Sequence, residues 1–285
     1  MREPLMPVSD FQSFITGLDH PEGVTWGPDG HIYAGGEAGQ VYRITLDGAC
    51  VEVAHTGGFA LGLCLDAEGR VYICDNGRKA VMRAAPVGDV SIYSAGTPDR
   101  PMVTPNYPVF DHHGNLYVSD SGGWHEDNGC LFCIRPGGHT AVVSEALKEF
   151  PNGMALGPNG KELYVVLSTS SSVVKVTLYD DGRVGPPQHV VELPRTVPDG
   201  LAFDLQGNLY IACYAPSVIY RLSPSGELAV FAEDWESTMI ATPTNIAFCG
   251  PDLATLVVAT VSRWHLAKAP MSVPGHPLAY PHLES

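Results

Sequence analysis

GLAFDLQGNLYIAC (200–213) is one of five near-copies of a single phrase: an apolar strand, a turn carrying Gly, then a strand holding an aromatic residue. The others are GVTWGPDGHIYAGG (23–36), GLCLDAEGRVYICD (62–75), YPVFDHHGNLYVSD (107–120) and GMALGPNGKELYVV (153–166), with a weaker sixth, IAFCGPDLATLVVA (246–259). Aligned on Tyr33, Tyr72, Tyr117, Tyr164, Tyr210 and Val257, the copies are spaced 39, 45, 47, 46 and 47 residues apart. Repeats of this length, each with several short strands, predict an all-β fold: a six-bladed β-propeller of four-stranded blades. In the first unit the four strands fall near 23–28, 31–36, 40–45 and 51–55, separated by turn dipeptides such as Asp29-Gly30 and Asp47-Gly48.

The blades are expected near 20–58, 59–103, 104–149, 150–195, 196–240 and 241–270, in one domain spanning 1–285. The sixth unit lacks a clear outer strand, because the chain turns into a Pro-rich tail over 270–285. The N-terminal stretch 8–18, centred on 11–16, is expected to complete that blade and remove an open sheet edge. Only SEALKEF (144–150) reads as a short helical turn.

Composition agrees with many turns and short strands. Charged residues are 16 %, hydrophobic residues 45 %, and the 285 residues include 31 Gly and 24 Pro. A formal net charge of −15 argues against nucleic acid, which requires a basic footprint. No run approaches the roughly 18 apolar residues of a membrane span, and the N-terminus has no secretory h-region. Seven scattered cysteines fit a reducing compartment, so the expectation is a cytoplasmic protein. Cys130 and Cys133 are three apart in a strand-like run and point to opposite faces, which disfavours a metal or redox pair.

In a propeller the first strand of each blade lies nearest the axis. Its start therefore faces one mouth of the central channel. Counting back 11 residues from the reference Tyr gives Glu22, Leu61, Asn106 and Asp199; counting 12 in the fourth and sixth units gives Asn152 and Asn245. Five of six equivalent positions thus carry oxygen, two of them as carboxylates. Facing carboxylates repel unless one protonates or a cation compensates both. Carboxylate and amide oxygens without sulfur suit one hard divalent cation: calcium first, then magnesium or manganese, with zinc less typical. Asn-Gly and Asp-Gly are also common turn formers, so Asn152 and Asp199 each have a plain turn reading. Glu22, and the register shared with Asn106 and Asn245, do not.

At these residues the chain resembles the gluconolactonase family, which includes senescence marker protein, luciferin-regenerating enzyme and the Drp-type lactonases. The resembling stretches are HPEGVTWGPDG (20–30), PNYPVFDHHGNLYVSDSG (105–122), FPNGMALGPNG (150–160) and VPDGLAFDLQGNLYIA (197–212). Diisopropylfluorophosphatase-like enzymes share the architecture more distantly. The resemblance implies a catalytic divalent metal at the channel mouth, with Glu22, Asn152 and Asp199 on the family's ligand positions. It places Asn106 on the asparagine that approaches metal or substrate. Thr104 stands where the family's sugar-acid lactonases carry Arg, so no cation grips a polyhydroxylated lactone there and poor sugar-acid turnover is expected.

Loops joining second to third strands return to the same mouth: 35–39, 75–79, 121–129, 168–172, 214–217 and 260–264. The longest, SGGWHEDNG (121–129), offers Trp124 and His125 as substrate contacts, or is simply an acidic hairpin tip. His265, beside the sixth mouth loop, is a further candidate for substrate or proton contact, whereas His112 and His113 fall in a turn at the opposite end. The chemistry expected is hydrolysis of a small-molecule lactone, with the cation polarising the ring carbonyl and Asp199 orienting or deprotonating the attacking water. Three alternatives stay open: a phosphotriester or other ester hydrolase on the same site, a non-catalytic binding propeller, and a metal-independent enzyme resembling strictosidine synthase. No G-x-S-x-G elbow or Walker-type phosphate loop is present.

Overall fold

The computed structural model describes residues 3–86 and 88–283; the last two residues of the Pro-rich tail, Glu284 and Ser285, lie outside them. Among the described residues, twenty-four strands form six four-stranded antiparallel sheets. The first is Val24–Trp26, Ile32–Gly35, Gln40–Ile44 and Cys50–His55, in that order from the axis outward. The remaining inner strands are Ala60–Leu65, Pro105–Phe110, Pro151–Leu156, Val197–Phe203 and Pro243–Cys249. Each touches the inner strands of both neighbours, and the sixth touches the first, so the sheets close into a ring: a six-bladed β-propeller.

In the sixth sheet the outermost strand is Gln12–Thr16, antiparallel to His265–Pro270, with Gln12 opposite Lys268 and Thr16 opposite His265. Among the described residues no helix is long and apolar enough to cross a membrane.

The recurring phrase has a local physical cause. Asp66 Oδ1 accepts the backbone N–H groups of Glu68 and Arg70 (3.1 and 2.9 Å), shaping the turn between first and second strands, while Oδ2 accepts the Tyr72 hydroxyl (3.0 Å). Asp204 repeats this with Gln206, Asn208 and Tyr210. The repeated Asp and Tyr therefore lock a turn to a strand, and their register carries through the blade. Between blades the core is apolar. Along Cys130–Ile134, Cys130, Phe132 and Ile134 enter one interface while Leu131 and Cys133 enter the next, a period of two. Burial pushes both thiols up to about 11, consistent with inert core cysteines.

The expected helical turn over 144–150 is not there. These residues run irregularly from Thr140–Ser144 to Pro151–Leu156, and Leu147 is fully buried as an apolar anchor. The Lys148 carbonyl accepts from Gly129 N and Phe150 N (3.2 and 2.9 Å). Seven residues are too few to nucleate a helix against such a tether. Among the described residues the one helical element is a single 3₁₀ turn, Val8–Asp10.

The Pro-rich tail crosses the face opposite the mouth. Leu205 N donates to the Pro274 carbonyl (2.9 Å), the Tyr280 hydroxyl to the Trp26 carbonyl (2.7 Å), and Arg70 Nη2 to the Leu283 carbonyl (2.7 Å). It thereby spans several blades and closes that end of the channel. Beneath it lies a cavity of about 280 Å³ walled by Trp26, Phe110, Met154, Phe203, Phe248 and Tyr280.

Candidate functional site

The six inner strands begin at the mouth, and the six register positions meet there. Backbone contacts trace the ring from blade to blade. Ser168 Oγ donates to the Pro198 carbonyl and Thr244 Oγ1 to the Glu22 carbonyl, both at 2.7 Å, while Ser119 Oγ donates to the Asn152 carbonyl at 2.7 Å. The Gly that follows Asn152 and the Gly that follows Asp199 make the approach possible. A Cβ on Gly153 would strike the Asp199 carbonyl, and one on Gly200 would lie 2.5 Å from the Thr244 carbonyl. Asn152-Gly153 and Asp199-Gly200 sit inside strands, and neither glycine has a positive φ. The turn reading of these dipeptides is thus excluded; Asn159-Gly160 and Asp181-Gly182, with φ of +67° and +78°, are the turns.

The site residues share a pattern of unmet hydrogen bonding. Glu22, Asn106, Asn152, Asp199 and Asn245 are 6 %, 4 %, 4 %, 4 % and 0 % exposed. Each keeps a buried oxygen with no hydrogen-bond partner: Glu22 Oε2, Asn106 Oδ1, Asn152 Oδ1, Asp199 Oδ1 and Asn245 Oδ1. The amide nitrogens are spoken for where they define orientation. Asn152 Nδ2 donates to Ser168 Oγ (3.2 Å) and Asn245 Nδ2 to the Glu22 carbonyl (3.3 Å), which leaves the oxygens as free ends. Buried polar atoms are normally paired, and one left alone costs about 1–3 kcal/mol. Five on one ring make a set of acceptors lacking donors. Leu61 fills the sixth position with an apolar side chain, 6 % exposed.

Charge tells the same story. Burial, and after it the neighbouring Asp199 charge, raise the Glu22 carboxyl well above the ordinary carboxylate range; burial raises Asp199 likewise. A ring of carboxylate and amide oxygens with no basic side chain to answer it fits a hard divalent cation. Glu22, Asn106, Asn152, Asp199 and Asn245 are the residues that could hold it.

The other sequence candidates are placed differently. Thr104 is half-buried at the mouth, its N–H bound to Asp120 Oδ1 (3.0 Å). Trp124 and His125 lie on the mouth loop 121–129, with Trp124 45 % exposed and packed edge-on against Phe150 at 4.8 Å. His265 is not brought to the ring. It pairs with Thr16 near the rim of the sixth blade, and its Nε2 lies 2.9 Å from the Met239 carbonyl.

Two features escaped the sequence reading. One is a rim cluster in which His20 Nδ1 lies 3.1 Å from both Asp19 Oδ1 and Glu37 Oε2. The other is the pair His20 and Phe150, which stand two positions ahead of ring residues as Thr104 does, and which the same register count shifted by two would have picked out.

Residues 20–262 match the SMP-30/Gluconolactonase/LRE-like region. The gluconolactonase of Zymomonas mobilis is 28 % identical over 189 residues, 58 % of this chain and 52 % of that protein. The chain spans about half the length of the curated relatives it matches. Among solved structures, a gluconolactonase from Xanthomonas campestris superposes with a TM-score of 0.79 at 18 % identity, covering 93 % of this chain and 89 % of that one. Regucalcin from Agrobacterium tumefaciens, described as calcium-binding, gives a TM-score of 0.76 at 16 % identity over 100 % of both chains. At those identities the likeness is one of fold.

Proposed function

The chain belongs to the SMP-30/gluconolactonase/LRE-like family, and from that premise we propose that it is a metal-dependent lactonase acting on a small-molecule lactone. The observation carrying this reading is the ring of five buried oxygens without partners. The names of the relatives, gluconolactonase, pentonolactonase and a calcium-binding regucalcin, support the reaction class and the kind of ion. Glu22, Asn152 and Asp199 would hold the cation, calcium by preference, with Asn106 and Asn245 completing the oxygen set.

When bound, the cation supplies a Lewis acid that polarises the lactone carbonyl and steadies the charge developing on its oxygen. The residues supply the rest. Asp199 orients the attacking water and takes up its proton at the carboxylate; the proton then passes to the ring oxygen as the C–O bond breaks, giving a hydroxy acid. The glycines and strand hydroxyls hold Glu22, Asn152 and Asp199 at fixed separation, so little reorganisation is needed at the moment of reaction. A metal-independent enzyme would need water or substrate to donate to all five acceptors, whereas one cation answers them together.

Acid release at constant pH tests this, using protein stripped with chelator and then supplied with calcium, magnesium, manganese or zinc. Stripped protein should show no turnover above background, and one of the cations should restore it. Full turnover without metal would overturn the proposal.

A further inference from the structure

The repeat that aligns the ring also aligns the residues two positions closer to the mouth: His20, Phe59, Thr104, Phe150, Val197 and Pro243. All but the buried Pro243 are half-buried, as expected for the wall of an accessible recess. By register they stand one step nearer the mouth than the oxygen ring, on the way of a molecule entering from that end. Two are phenylalanines, two more are apolar, and neither Lys, Arg, Asp nor Glu is among them.

Mouth loops extend this wall with tryptophan in a repeated arrangement. Trp124, on the third blade's loop, packs against Phe150 of the fourth blade, ring centroids 4.8 Å apart. Trp264, on the sixth blade's loop, packs against His20 of the first blade, ring centroids 5.4 Å apart. The two indoles are 45 % and 57 % exposed, so each leaves apolar surface open at the rim. Phe150 and His20 also share a left-handed backbone, φ +55° and +43°, immediately before the proline that precedes the ring residue. That strained conformation sets where both side chains stand.

The geometry points to a substrate class: a lactone whose ring carries an alkyl or aryl substituent, held by the Phe150–Trp124 wall, in preference to a polyhydroxylated or ionic sugar lactone. This rests on the lactonase reading of the same site. A polyhydroxylated ring would find one hydroxyl, that of Thr104, and one imidazole, that of His20, to answer its hydrogen bonds at this tier. An alkyl chain or aromatic ring would find van der Waals contact and lose exposure to water.

The test compares kcat/KM for δ-valerolactone, δ-decalactone, dihydrocoumarin and glucono-δ-lactone on the metal-loaded protein. The substituted lactones should exceed δ-valerolactone by at least about tenfold, the gain expected from burying a few methylenes or an aromatic ring. Phe150→Ala and Trp124→Ala should each cut the ratio of δ-decalactone to δ-valerolactone by about tenfold. Trp235→Ala, at an indole that is 84 % exposed just after the outermost strand Leu228–Glu233, should leave the ratio unchanged. Preference for glucono-δ-lactone, or equal losses on every substrate in the two wall variants, overturns the class while leaving the lactonase reading intact. If no lactone is hydrolysed, the lactam of the same shape as δ-decalactone decides by its quenching of tryptophan fluorescence. Binding that weakens in Phe150→Ala supports the apolar wall, and no binding overturns it.

Discussion

Replacing Asp199 by asparagine is expected to lower lactone hydrolysis by about 10²–10⁴-fold and, in the metal-free protein at neutral pH, to raise the melting temperature. The two effects share one cause. Asp199 and Glu22 are buried close enough for the Asp199 charge to raise the Glu22 carboxyl, and burial itself holds both well above the ordinary range. Asn keeps the shape and one oxygen but removes a charge, so the repulsion is relieved and the metal-free fold gains. The same change removes the carboxylate that, in the proposed mechanism, orients water and accepts its proton. A variant that loses activity and also loses stability would point to a packing role for Asp199. Circular dichroism melting beside the kinetic assay separates the cases.

The second large effect is a pH dependence that a cation should erase. A carboxyl whose folded-state pKa is raised binds its proton more tightly in the native than in the unfolded chain. Its contribution is therefore fully present below the unfolded values, near 3.8 for Asp and 4.5 for Glu, and is lost as pH rises through the raised folded values. The metal-free protein should accordingly lose stability on going from about pH 4 toward alkaline pH, beyond what Asp199→Asn or Glu22→Gln shows. Adding a divalent cation replaces the protons as the source of compensation. At about a thousandfold excess over its dissociation constant the cation adds roughly 4 kcal/mol, most visibly at the alkaline end. Melting curves across pH, with chelator and with calcium, measure both. Parallel curves for wild type and the two variants would remove the carboxylate pair as the source.

The sequence exposed the propeller because five of the six blades repeat a turn Asp or Gly and a strand Tyr at nearly constant spacing, and the sixth keeps the phrase with Val257 in place of Tyr. That spacing is a physical lock, as Asp66 with Tyr72 and Asp204 with Tyr210 show. The oxygen ring was legible for the same reason: once blades align, residues 22, 106, 152, 199 and 245 share a height on the axis. Turn propensity blurred Asn152 and Asp199, and the structure resolves it, since their glycines serve close strand approach. What stayed hidden depends on contacts that do not repeat. The stretch 144–150 looked helical, yet Leu147 is drawn into the interface between blades. The course of the tail over the far end of the channel is set by single bonds, such as Tyr280 to the Trp26 carbonyl, which no periodicity announces. The Trp124–Phe150 pair joins a loop of one blade to the residue just before the inner strand of the next, 26 apart in sequence. Trp124 stood out as a mouth-loop candidate, but its partner Phe150 did not until the two were seen in contact.

The most direct measurement of the central claim is calorimetric titration of chelator-stripped protein with calcium, beside the Glu22→Gln and Asp199→Asn variants. One equivalent should bind to the wild type, with heat that is lost or greatly weakened in both variants while their circular dichroism spectra stay native. Binding of equal strength in wild type and both variants, or no binding of calcium, magnesium, manganese or zinc to the wild type, would contradict the assignment of the oxygen ring as a metal site.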